Sequence, residues 1–136
     1  MATREQFVRG EIGRLKSQLL LDAWDIDFKL LPIKSVDSSC EVIDYGLKRA
    51  LVKLPLRGTR DSLIEDLRHE ALHLVLWPEN RVFDAVAEEQ VEDAKARAAF
   101  YELYNRGQNQ VIGHLLRIFR KAGLLVSLPS PWTWMG

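Results

Sequence analysis

The reading of this chain turns on Glu65–Phe100, EDLRHEALHLVLWPENRVFDAVAEEQVEDAKARAAF. It holds His69 and His73, two of the three histidines in the chain, with Glu70 directly after the first. On an α-helix, residues four apart lie one turn apart on the same face. The two imidazoles are therefore placed to offer nitrogens to one metal ion, while Glu70 points beside that position. This is the mechanical content of a His-Glu-x-x-His string: two zinc ligands and a carboxylate set to take a proton from a metal-activated water.

A catalytic zinc takes three protein ligands and keeps a fourth position for water, so the following segment has to be read for a third. The spacing predicts a helix from about Arg81 to Tyr104, stopped by Gly107. On it Val82, Val86, Glu89, Asp93, Ala96 and Phe100 share a stripe. A carboxylate in an apolar stripe is costly unless a positive group meets it. A zinc held by His69 and His73 would be that partner for Glu89. Asp93, one turn on, would accept a hydrogen bond from the far nitrogen of a liganding histidine. A plainer reading stands beside this one: a satisfied or exposed histidine pair, and surface carboxylates with Asp93 paired to Arg97. The complete string, with both carboxylates in the right segment, favours the zinc site.

Working outward, Ser62 followed by Glu65 has capping-box spacing, and the motif helix is expected from about Leu63 to Leu76, ending before Pro78. Upstream, CEVIDYGLKRALVKLPL (40–56) reads as two strands joined by a tight turn around Gly46. Ala50, Val52 and Leu54 share one face of the second strand, Leu51 and Lys53 the other. Proline in a sheet is confined to edges and ends, so Pro55 makes residues 50–56 a candidate edge strand. In AWDIDFKLL (23–31), Trp24, Ile26, Phe28 and Leu30 alternate with Asp25, Asp27 and Lys29, the pattern of a strand with one wet face. Residues 4–21 have helical periodicity, and a last helix is expected over Asn109–Lys121, ended by Gly123. The fold class expected is α+β: an N-terminal helix, a small three-to-four-stranded mostly antiparallel sheet, the motif helix, a glutamate helix, and a C-terminal helix and tail.

The chain has 136 residues, 47% hydrophobic and 28% charged, which suits one soluble domain over 1–136, with a core at 4–104 and a helix and tail at 109–136. Nineteen basic residues balance nineteen acidic ones and are scattered, so no nucleic-acid partner is expected. Cys40 is the one cysteine, so the fold does not rest on an internal disulfide. The N-terminus is charged and amphipathic, unlike a signal peptide, and no run of about eighteen apolar residues occurs. A cytoplasmic protein without a membrane span is the expectation, its oligomeric state unreadable.

RHEALHLVL followed by EEQVEDA resembles the gluzincins, zinc peptidases with His-Glu-x-x-His on one helix and Glu-x-x-x-Asp on the next. The short connection and the length look most like the minigluzincins and the related ImmA/IrrE-type peptidases of bacteria and their phages. The resemblance covers about Arg4 to Tyr104. It implies one zinc per chain, ligated by His69, His73 and Glu89, with Glu70 as general base and Asp93 orienting a histidine ligand. It further implies a protein or peptide substrate laid as an added strand on the edge strand 50–56, where Leu51 and Lys53 are the candidate contacts. Larger gluzincins add a histidine or tyrosine that stabilises the oxyanion. His114 falls on the polar side of its helix, and Tyr101 and Tyr104 are the other candidates. Trp132 and Trp134 in the tail either pack on the body or, with the last helix, shield the cleft and hold the enzyme latent. The alternative function is a weak or inactive zincin-fold module serving interaction or assembly.

Overall fold

The computed structural model describes residues 3–32, 37–56 and 59–123. Helix α1 (Arg4–Gln18) starts at Thr3, whose hydroxyl accepts the Gln6 N–H at 3.2 Å while the Gln6 side chain accepts the Thr3 N–H at 2.9 Å. Two otherwise orphaned helix-end donors are thereby satisfied. Phe7, Val8, Ile12 and Leu15 form its buried face. Leu20, at φ 57°, turns the chain so that Leu21 and Trp24 return to the core.

Three strands follow: β1 (Asp25–Leu31), β2 (Ser39–Asp44) and β3 (Arg49–Pro55). The expected alternation holds in β1, where Ile26, Phe28 and Leu30 are more covered than Asp25, Asp27 and Lys29. Ala50, Val52 and Leu54 of β3 are buried on one face, as their spacing predicts. The sheet order is β1-β3-β2, with β1 parallel and β2 antiparallel to β3, so among the described residues the sheet is three-stranded and mixed. This corrects the expectation for residues 50–56: β3 is the central strand. Pro55 sits at its last position, where a missing N–H is tolerated as well as on an edge.

Helix α2 (Arg60–Val75) begins earlier than expected, because Thr59 and not Ser62 is its cap; the Thr59 hydroxyl accepts the Ser62 N–H at 3.1 Å. Leu63, Ile64, Leu67, Ala71 and Leu74 are buried in the common core with α1 and β3. After Leu76 the chain enters α3 (Trp77–Gln90) at once. Pro78 lies in its first turn, where the absent N–H has no partner to lose.

The long helix expected over 81–104 is two helices. α3 stops at Gln90, and α4 (Ala94–Ala122) starts after Asp93. The Asp93 carboxylate accepts the Ala96 N–H at 3.2 Å, and the Arg97 guanidinium donates to the Val91 carbonyl at 3.0 and 2.7 Å, which fixes the corner. The single stripe carrying Glu89 and Asp93 is therefore absent, and Val82 and Val86 stand exposed. α4 instead runs straight through Gly107 and ends at Gly123 in the left-handed region, φ +70°. Ile112 and Leu116 tie α4 to the core. Phe83 stacks on Phe100 and Tyr104, with ring centroids 4.6 and 3.8 Å apart, and so holds α3 to α4. Among the described residues no helix is long and apolar enough to cross a membrane. The readings of the tail, with Trp132 and Trp134, lie outside the described residues.

Candidate metal centre

α2 buries its leucine face in the core and turns His69, Glu70 and His73 toward a cleft of about 860 Å³. The first residues of β2 form one wall, and Trp77, Asn80 and Asp84 of α3 and the middle of α4 form the other. Ligand atoms of His69, Glu70 and His73 all lie within 4.8 Å of one another. The two Nε2 atoms are 3.2 Å apart. Two ligands at zinc's usual 2.0–2.1 Å, on neighbouring corners of a tetrahedron, would be separated by about 3.3–3.4 Å. The group can therefore hold a metal ion, and its nitrogen and oxygen donors suit a divalent one.

The orientation of His73 is set from α4. Its Nδ1 lies 2.7 Å from Gln108 Oε1. Gln108 is buried, and its amide nitrogen is committed elsewhere, donating to Asn80 Oδ1 at 2.6 Å and to the Tyr104 hydroxyl at 3.1 Å. The oxygen is left to face His73, so Nδ1 carries the proton and Nε2 presents its lone pair to the cleft. The Tyr104 hydroxyl reaches Asn80 Oδ1 at 2.7 Å and closes the network. Burial, then the Glu79 carboxylate beside it, push that hydroxyl up to about 12, so it remains a donor.

Glu70 is buried, and its Oε1 accepts a hydrogen bond from Ser38 Oγ at 3.0 Å. Burial raises its carboxyl above the usual carboxylate range. The nearby His73, the Ser38 hydrogen bond and His69 pull the other way, and Asp66 adds to the rise. Cys40, on β2, also lines the cleft; burial and the Glu70 charge push its thiol up to about 12.

The structure does not bring Glu89 to the histidines. Along α3, Trp77, Asn80 and Asp84 face the cleft and Ala87 is fully buried, which leaves Glu89 exposed on another side of the last turn. Asp93 is the cap of α4. Leu51 and Lys53 lie on β3 between paired strands, opposite Asp27 and Lys29 on one side and Glu41 and Ser39 on the other. They offer no free backbone edge, because both sides of β3 are paired. β2 pairs only with β3 among the described residues, and its Ser39 and Cys40 are the strand residues lining the cleft. His114 is exposed, as its helical position predicts. Ser38, Asn80, Gln108 and Asn109 are site residues that sequence reading missed. The available signal was Asn105, Gln108 and Asn109, carboxamides at i, i+3 and i+4, but an expected stop at Gly107 divided that row.

Comparison with protein-family models, with curated proteins and with solved structures found no match to this chain.

Proposed function

We propose that the protein is a zinc-dependent peptidase of gluzincin kind, with His69 and His73 as metal ligands and Glu70 as general base. The observation that carries this reading is the convergence of two imidazole nitrogens, 3.2 Å apart, beside a buried carboxylate in an open cleft. When bound, a zinc ion supplies Lewis acidity, which polarises a carbonyl and brings the pKa of a water towards about 7.

The chain's own residues do the rest. Gln108 holds His73 in the tautomer whose Nε2 faces the cleft. Ser38 pins one oxygen of Glu70 and leaves the other to accept a proton from the attacking water. A desolvated carboxylate is a stronger base than a solvated one, and it hands the same proton on to the departing amine. An extended peptide alongside the outer edge of β2 would gain backbone hydrogen bonds without demanding a particular sequence, with its carbonyls led past Ser39 and Cys40 into the cleft.

The test is Glu70→Gln. It keeps the metal and lowers peptide cleavage by about 10²–10⁴-fold, the usual contribution of a positioned general base. A Glu70→Gln protein that cleaves a peptide library at the wild-type rate would end this reading. One observation favours a second reading, a metal-holding interaction module: Val82 is 66% and Leu103 63% exposed on α3 and α4. Metal binding without turnover by the wild type would select it.

A further inference from the structure

We infer that Asn109 supplies the third protein donor to the ion held by His69 and His73; this rests on the metal site proposed above. Asn109 Oδ1 lies 3.1 Å from Nε2 of each histidine, and those two atoms lie 3.2 Å apart. The three atoms make a nearly equilateral triangle. Its edges are close to the roughly 3.3–3.4 Å of one face of a tetrahedron with ligands 2.0–2.1 Å from its centre.

The chemistry of the three atoms points the same way. His73 carries its proton on Nδ1, facing Gln108, so a neutral ring has only a lone pair on Nε2. An amide oxygen is an acceptor too. Two acceptors facing each other at 3.1 Å have no proton between them. With both rings neutral, at most one proton, on His69 Nε2, is available to the whole triangle. A cation satisfies all three lone pairs together.

Position on the helix makes the arrangement economical. Gln108 and Asn109 are neighbours on α4, one fixing His73 from behind and the other completing the donor face in front. Glu89 is outside this group, and Glu70 has one oxygen engaged by Ser38. A neutral third donor leaves the site with the full charge of the ion, so the ion is a stronger Lewis acid and more easily lost to chelators than with a carboxylate.

The experiment is zinc affinity of the full chain by chelator competition, for the wild type and for Asn109→Leu, Asn109→Asp, Glu89→Ala and His73→Ala. Melting curves of the metal-free proteins serve as the fold control; Asn109 is exposed, so its variants are expected to melt with the wild type. Asn109→Leu is expected to weaken zinc by at least about tenfold. Asn109→Asp, with a charged oxygen in the same place, should bind as tightly as the wild type or tighter, and Glu89→Ala should be unchanged. Wild-type affinity in Asn109→Leu overturns the inference and leaves the metal site standing. Loss in Glu89→Ala with none in Asn109→Leu overturns it in favour of Glu89. A wild type that binds no zinc, or a His73→Ala protein that binds it equally well, overturns the metal site and the inference with it.

Discussion

Gln108→Leu is the perturbation that separates an arranged site from two histidines that happen to be close. Gln108 makes three hydrogen bonds at a buried position, to His73 Nδ1 at 2.7 Å, Asn80 Oδ1 at 2.6 Å and the Tyr104 hydroxyl at 3.1 Å. Leucine keeps most of the volume and none of these bonds. Asn80 Oδ1 still receives the Tyr104 hydroxyl, so the group left without a partner is the His73 Nδ1–H. A fully buried orphaned donor costs about 1–3 kcal/mol; His73 is half-buried beside an open cleft, so the metal-free protein should lose stability at the lower end of that range. The ring is then free to change tautomer and rotate. Loss of such an orienting partner typically weakens metal binding by 10–100-fold, or about 1.4–2.7 kcal/mol. Chelator competition at fixed pH measures the affinity, and urea unfolding of the metal-free protein measures the stability. Gln108→Glu is the control: its carboxylate still accepts from Nδ1–H, so affinity should return to the wild-type level or above. If Gln108→Leu binds metal as tightly as the wild type, the claim that α4 orients His73 is refuted.

Other expectations follow from single features of the fold. Cys40 has its thiol pushed from 9.0 up to about 12, mainly by burial and then by Glu70. Between those two values the unfolded chain is thiolate and the folded one is not, so this group's contribution is full below the lower value and is lost as pH rises through the window. At pH 8 the folded protein should react with a disulfide reagent about thirtyfold more slowly than the chain in urea, the smaller thiolate fraction outweighing the greater nucleophilicity of a more basic thiolate, and comparable rates would contradict the partial burial of Cys40. Leu54→Ala, at a site with 0% exposure near the end of β3, should cost about 2–5 kcal/mol in urea unfolding; a loss within about 0.5 kcal/mol would mean the sheet face is not the core. Asp93→Ala removes the cap of α4 and should cost about 0.5–2 kcal/mol of stability while leaving zinc affinity unchanged. A parallel loss of zinc would return Asp93 to the metal site.

What was legible in the sequence was local. The i, i+4 histidines with Glu70 between them, the alternation in 25–31 and 50–54, and the Gly123 stop each depend on residues within a turn or two, and each appears in the structure. The position of β3 was not legible, because parallel pairing of 25–31 with 49–55 leaves no mark on either strand. The place of Asp93 is not legible for a related reason: an aspartate at helical spacing looks the same on a stripe as at a cap, and here its carboxylate caps α4 while Arg97 holds the corner at the Val91 carbonyl. Gly107 reads as a stop because glycine favours the position just past a helix end, and inside a helix it costs about 1 kcal/mol. Here the packing of Ile112 and Leu116 and the aromatic stack on Phe83 outweigh that cost. The half of the site on α4 was hidden because Gln108 and Asn109 meet His73 and His69 from thirty-five and forty residues away, and a helix stop expected at Gly107 splits the one spacing that joins them to Asn105.

The most direct measurement is the zinc content of protein purified without added metal, for the wild type and for His69→Ala combined with His73→Ala. The account predicts close to one zinc per chain in the wild type and almost none in the double variant. Equal zinc in the two, or none in either, would contradict it.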